Sequence, residues 1–105
     1  MKQFEVYYAN LDPTVGAEIK KTRPVAIISP NEMNDYIRTV IIAPITSQLH
    51  NTIPTRVAIK IEGKISYVVL DQIRTIDKKS LYNFVCNLTL EEQDNVRNVI
   101  LEMFA

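Results

Sequence analysis

Apolar residues fall along this chain in short β-branched runs broken by Pro, Gly, Asn and Asp, and the pattern turns helical only near the C-terminus. Residues 4–11 are aromatic and β-branched with partial alternation and predict a strand. Asp12-Pro13-Thr14-Val15-Gly16 ends it, because Asp-Pro favours a turn and proline cannot continue a central ladder. Residues 17–22 are polar and predict an exposed loop. The run PVAIIS over 24–29 predicts a buried strand stopped by Pro30, and 31–36 a turn or short helical loop. TVIIA over 39–43 predicts another buried strand, halted by Pro44, with a second polar loop over 45–54. Residues 55–61 alternate, setting Val57, Ile59 and Ile61 against Ala58 and Lys60. Glu62-Gly63-Lys64 then makes a hairpin turn into a strand over 66–70, and a short strand follows over 73–76.

The end of the chain changes period. Thr89-Leu90-Glu91-Glu92 has the form of a capping box, with Thr at the N-cap and Glu three residues on. Val96, Val99, Ile100 and Met103 follow at helical spacing and predict a helix over 90–104. Short strands followed by one helix predict a mainly β protein, a strongly bent antiparallel sheet or open barrel with the helix packed at one side. The 105 residues fit one domain over 1–105.

Composition narrows the function classes. Twelve basic and twelve acidic residues balance, which argues against a protein that coats nucleic acid through a broad basic face, though not against a local basic groove. Cys86 stands alone, so it forms no intrachain disulfide, and it reads as a small apolar side chain rather than a nucleophile. One histidine and one cysteine cannot build a zinc-ligand cluster. The start Met1-Lys2-Gln3-Phe4-Glu5 carries no apolar signal core, and no run is long enough to span a membrane, so the expected compartment is the cytoplasm.

No carboxylate pair sits in a cleft-forming context, and no nucleophile elbow or glycine-rich phosphate loop is visible. His50 reads either as a solvated loop residue or as a proton donor or base contact. Two loops stand out. The first ends in Arg23 at the threshold of an apolar strand, where it is either a surface charge or, with Pro24 fixing the backbone, a guanidinium held for bidentate phosphate contact. The second, Ala43-Pro44-Ile45-Thr46-Ser47-Gln48, sets two hydroxyls and an amide after a buried strand, as turn residues or as uncharged donors to a phosphate oxygen.

Leu-Asp-Pro-Thr-x-Gly-x-Glu, Arg-Pro-Val-Ala-Ile-Ile-Ser-Pro, Ala-Pro-Ile-Thr-Ser-Gln and Leu-Asp-Gln-Ile-Arg-Thr-Ile-Asp together resemble the MazF/PemK family of toxin endoribonucleases, in order and spacing, over nearly the whole chain. The resemblance implies an SH3-like barrel with a C-terminal helix and a homodimer with single-stranded RNA along its interface. It also implies cleavage at a short sequence without metal or other cofactor. In the reaction so implied, the 2′-hydroxyl would attack the adjacent phosphorus and leave a 2′,3′-cyclic phosphate and a 5′-hydroxyl. A cognate antitoxin is the expected partner, its extended tail lying where RNA would go.

Carried onto this chain, the resemblance puts Arg23 and Thr46 at the scissile phosphate, with Glu18 implicated in some members. Arginine stays protonated, so Arg23 suits stabilisation of the charged phosphorane better than proton donation. Thr46 would donate to a non-bridging oxygen, with Ser47 assisting. Glu18 is the candidate acceptor of the 2′-hydroxyl proton, or else a solvated carboxylate ordering Lys20 or Lys21. Residues 17–22 and 49–53 are expected to read bases, with Lys20 and Lys21 on backbone phosphates, and Thr22, Ser47, Gln48, His50 and Asn51 complete the expected RNA contacts. Asp71 and Arg74 read mainly as scaffold. The chain departs from the family at Phe4-Glu5, where Gly-Asp is common, and at Ile19-Lys20-Lys21, where Gln and small residues usually follow the Glu. A gyrase-binding toxin of the CcdB type and a silent RNA- or antitoxin-binding module are the alternatives. Against the first, the chain has no Trp and ends Glu102-Met103-Phe104-Ala105; against the second stand Arg23 and Thr46.

Overall fold

The structure, a computed structural model, describes residues 1–11, 22–48 and 53–105. In chain order the elements are β1 (Glu5–Asn10), β2 (Thr22–Ile27), a single helical turn α1 (Asn31–Asn34), β3 (Thr39–Thr46), β4 (Arg56–Ile61), β5 (Lys64–Val69), β6 (Arg74–Asp77), β7 (Leu81–Asn87) and α2 (Leu90–Met103). Short 3-10 turns at Leu70–Gln72 and Lys78–Ser80 bracket β6. The strands form one curled antiparallel sheet in the order β4-β5-β3-β2-β1-β7, with β6 alongside β3. The architecture is the expected mainly β half-barrel with a C-terminal helix.

Alternation gives the sheet two apolar faces. On one, Val6, Ala26, Ala43, Ile45, Val68 and Leu70 are buried together with Val96 of α2. Thr89 caps that helix as predicted: its hydroxyl accepts from the Glu92 N–H at 3.1 Å, and the Glu92 carboxylate accepts from the Thr89 N–H at 2.9 Å. The other carboxylate oxygen of Glu92 accepts from the Lys60 N–H at 2.8 Å, so the cap also fastens α2 to β4. Val96 is fully buried and contributes about 1.5–3 kcal/mol through the area it removes from water. On the opposite face Ala9, Val25, Ile27, Val40, Ile42, Ile76 and Leu81 make a second, smaller cluster.

The β4–β5 hairpin closes through Glu62 and Gly63, both at positive φ (50° and 80°), the conformation of a type I′ turn and the reason a glycine stands second. Between β2 and β3 the buried Ser29 and Asn34 satisfy one another: Asn34 Nδ2 donates to the Ser29 carbonyl at 2.8 Å and Ser29 Oγ donates to Asn34 Oδ1 at 2.5 Å, while Ser29 Oγ also accepts from the Ile41 N–H at 3.0 Å.

Three elements depart from the sequence-based expectations. β2 begins at Thr22, so Arg23 lies within a strand instead of at its threshold. β3 runs through Pro44 to Thr46 instead of halting there. β7 answers to no predicted strand. Asn83 sits at φ 50° and the β1–β7 register slips between Val6 and Tyr8, so the bulge breaks the alternation that would have marked it. Among the described residues no helix is long and apolar enough to cross a membrane.

Candidate active site at a fork in the sheet

The two prolines inside strands locate the site. The β2–β3 ladder runs Ile27↔Ile42, Ala26↔Ala43, Val25↔Pro44 and stops. Beyond that point β2 stays with β1, through Ala9↔Arg23 and Asn10↔Thr22. The end of β3 instead takes up β5, through Ile45↔Val68 and Thr46↔Tyr67. Pro24 and Pro44 have no N–H to give, and they sit at this parting. Pro44 also falls between the stretch of β3 that pairs β6, which ends at Ile42, and the stretch that pairs β5, which begins at Ile45. A missing donor costs nothing there.

Continuing the β2–β3 register past its last rung would set Arg23 opposite Thr46. They flank the mouth of the fork, on the face that carries Val25, Pro44 and Ile42, since residues two apart along a strand share a face. Both are half-buried, and Ala9, beside Arg23, is fully buried. Thr46 Oγ1 accepts from the Gln48 N–H at 3.2 Å. The hydroxyl also carries a proton to donate, and no acceptor for it stands among the described residues. Thr22, Ser47 and Gln48 are exposed at the same mouth.

Arg74 joins this face. It pairs with Ile42 on β6, two residues before the core-facing Ile76, and its Nη1 donates to the Leu11 carbonyl at 3.3 Å. Sequence reasoning placed it mainly in the scaffold. The signal that marks it is the alternation Arg74–Ile76, which puts the arginine on the face of a buried neighbour. Of the other sequence-predicted residues, Glu18, Lys20, Lys21, His50 and Asn51 lie outside the described residues. Cys86 is half-buried against the larger apolar cluster, as its apolar reading requires. Burial, and after it the Glu92 and Glu62 carboxylates, push its thiol up.

An arginine and a hydroxyl donor flanking a fork are groups able to bind an anion. Among the described residues, clefts of about 490 and 450 Å³ lie away from it. One is at the Arg38–Lys78 corner, the other between the β4–β5 hairpin and the start of α2.

A family profile described as "PemK-like, MazF-like toxin of type II toxin-antitoxin system" matches residues 2–104. The chain belongs to this family. Endoribonuclease EndoA of Bacillus subtilis is 38% identical over 101 residues, covering 91% of this chain and 87% of the relative. Endoribonuclease MazF of Staphylococcus saprophyticus is also 38% identical, over 105 residues, covering 95% and 88%. Among solved structures, a MazE–MazF crystal structure from Deinococcus radiodurans superposes with a TM-score of 0.84 at 20% identity, covering 99% of this chain and 95% of that one. A mycobacterial endoribonuclease in complex with its cognate antitoxin superposes at 0.82 and 24% identity, covering 99% and 94%. The half-barrel with its C-terminal helix is thus the fold of MazF toxins.

Proposed function

We propose that this member of the PemK/MazF family is an endoribonuclease toxin that cuts single-stranded RNA at the fork between β2 and β3. The observation that carries the reading is the placement of Arg23 and Thr46 on the two sides of that fork, one residue before Pro24 and two after Pro44. Relatives 38% identical over nearly the whole chain bear the name endoribonuclease.

The chemistry follows from the side chains. The 2′-oxygen of the nucleotide before the scissile bond attacks phosphorus, the bond from phosphorus to the 5′-oxygen breaks, and the products carry a 2′,3′-cyclic phosphate and a 5′-hydroxyl. No metal enters the scheme. Negative charge grows on the non-bridging oxygens in the five-coordinate transition state, and the Arg23 guanidinium and the Thr46 hydroxyl proton are the donors aimed there. Glu18 is the candidate acceptor for the 2′-hydroxyl proton. Thr22, Ser47 and Gln48, with Lys20, Lys21, His50 and Asn51, are the proposed contacts to the flanking nucleotides. The functional unit is a single toxin domain over residues 1–105, acting as a homodimer in the cytoplasm. It is held in check by an antitoxin whose tail competes with RNA.

The test is cleavage of a long mixed-sequence RNA in EDTA by wild type, Arg23→Ala and Thr46→Ala, with the ends mapped. Discrete cuts with cyclic-phosphate and 5′-hydroxyl ends, lost in both variants, are expected. A folded wild type that leaves the RNA intact refutes the ribonuclease reading and turns attention to gyrase binding. Cutting that survives Arg23→Ala removes this residue from the reaction.

A further inference from the structure

Helix α2 carries apolar side chains on two flanks, and one of them packs on the sheet through Val96, Val99, Ile100 and Met103. The other faces solvent: Leu90, Leu101 and Phe104 are 78%, 68% and 68% exposed. With Asp94 and Arg97 these residues make one stripe along the helix to its C-cap, at spacings of four, three, four and three residues. That is the seam pattern of paired helices, in which a second helix covers the stripe. Apolar residues scattered singly on a surface need no partner, but these are aligned, and the charges between them are ordered. Arg97 Nη1 donates to Asp94 Oδ1 at 3.2 Å, and the guanidinium lies 4.8 Å from the centroid of the Phe4 ring. Both charged side chains stay open to solvent.

The stripe is complementary to itself. A twofold axis level with the midpoint between Asn95 and Val96 lays it antiparallel on a second copy. Leu90 then stands opposite Leu101 of that copy and Asp94 opposite its Arg97, and the axis repeats both pairs. A parallel pairing in register would oppose Asp94 to Asp94 and Arg97 to Arg97, which is unfavourable.

We propose that α2 docks on α2 of a second copy of this chain in the antiparallel register, through a contact separate from the RNA-bearing homodimer. The helix covers the face of the sheet that carries Val6, Ala26 and Ala43, whereas Arg23 and Thr46 lie on the face of Val25 and Ile42. The contact therefore leaves the fork of each copy open. Two leucine pairs and two ion pairs make a small interface, so the association is weak and reversible. It joins two units, each a monomer or a homodimer, into one of twice the mass.

The experiment is sedimentation equilibrium of the full chain over a concentration series. The samples are wild type, Asp94→Arg, Arg97→Asp, an equimolar mixture of these two variants, the double variant with both exchanges, and Leu101→Ser. Melting temperature and RNA cleavage per chain are measured beside it. Wild type is expected to approach twice the mass of either single charge variant at the top of the series. Each of those variants opposes like charges at both pairs and associates about tenfold more weakly or worse. The mixture restores association, because one chain then carries two cations on the stripe and the other two anions. The double variant only exchanges the signs and associates like wild type. Leu101→Ser weakens association without changing charge, and cleavage per chain stays at the wild-type level throughout.

Equal masses for wild type and both single charge variants at every concentration would overturn the proposal. So would a mixture as dissociated as its components, since the repulsion would then act outside this register. Variants that lose cleavage together with association would place α2 in the RNA-bearing homodimer and overturn the separation of the two contacts. The mass is read without any cleavage, so a wild type that leaves RNA intact refutes the ribonuclease reading alone. If Arg97→Asp, which gives up the Phe4 ring, does not fold, Asp94→Arg and Leu101→Ser carry the comparison with wild type.

Discussion

Replacing Thr46 by Val and by Ser separates what its hydroxyl does from what its shape does. Valine has the same branched outline and suits a strand end equally well, but it offers neither donor nor acceptor. In the folded protein the hydroxyl oxygen accepts the Gln48 N–H at 3.2 Å in an exposed turn. Water can replace that acceptor, so the stability cost is about 0.5–1 kcal/mol, or about 2–8 °C of melting temperature for a domain of this size. The transition state loses a donor that water does not replace in kind. Removing one such donor costs about 2.7–4 kcal/mol, or about 10²–10³ in kcat.

Because that charge develops only as phosphorus becomes five-coordinate, KM should change little. Serine keeps the hydroxyl and should stay within about tenfold of wild type. Single-turnover cleavage of a fluorescent oligoribonucleotide bearing the mapped site, enzyme in excess, reads the chemical step directly, and a thermal melt of each variant reads the fold. A folded Val variant with kcat within about threefold of wild type would sink the assignment of Thr46 as a transition-state donor. A Ser variant as slow as Val would show that the methyl group matters instead, and would move Thr46 from chemistry to packing.

Other expectations concern the scaffold. Thr89→Ala removes one half of the capping box and should lower stability by about 1 kcal/mol, seen in urea as a lower midpoint at unchanged slope. Glu92→Ala should cost more than Thr89→Ala in the same titration, because Glu92 accepts from both Thr89 and Lys60; equal costs would mean that the tie to β4 contributes nothing. Gly63 holds φ 80° with open space around its missing Cβ, so Gly63→Ala should cost about 1 kcal/mol through backbone strain alone. The Cys86 thiol is raised by burial and by Glu92 and Glu62. The fold therefore favours its neutral form, and this contribution to stability is full below the thiol's unfolded pKa and is lost as pH rises through the folded one. Iodoacetamide at pH 8 should accordingly label it more slowly than a free cysteine; labelling as fast as the free thiol would contradict this.

Much of the fold was legible because it rests on period and turn chemistry. The capping box named the start of α2 to the residue, and Glu62-Gly63 named the hairpin, since both signals are local and their geometry admits few alternatives. β7 was not legible. A bulge at Asn83 sets one residue out of step, and the bond pattern that restores the pairing belongs to β1, far away in the chain. The lengths of β2 and β3 were misjudged for one shared reason. Proline was read as a stop, the ordinary inference for a central strand, whereas here each proline lies where a ladder on one side has already ended. Arg23 and Thr46 were found by resemblance to a family, and composition alone left them undecided between surface charge, turn residue and phosphate donor. The contact of Arg74 with the Leu11 carbonyl, 63 residues away, was not legible because nothing local in the sequence marks it.

The prolines bear on more than strand length. An antiparallel sheet with every ladder complete offers no opening along its strands, since each backbone donor and acceptor is already engaged. A site for an extended polyanion between two neighbouring strands needs a place where they part without leaving buried donors unsatisfied. Pro24 and Pro44 supply it, because removing the N–H at a parting removes the group that would otherwise be orphaned. Arg23, one residue before Pro24, and Thr46, two after Pro44, are then the first positions beyond the last rung that share its face of the sheet. The motifs Arg-Pro and Pro-Ile-Thr thus hold a structural and a chemical element in one spacing. Moving either proline by one residue would shift the parting relative to its donor and leave an unpaired N–H where the proline had stood.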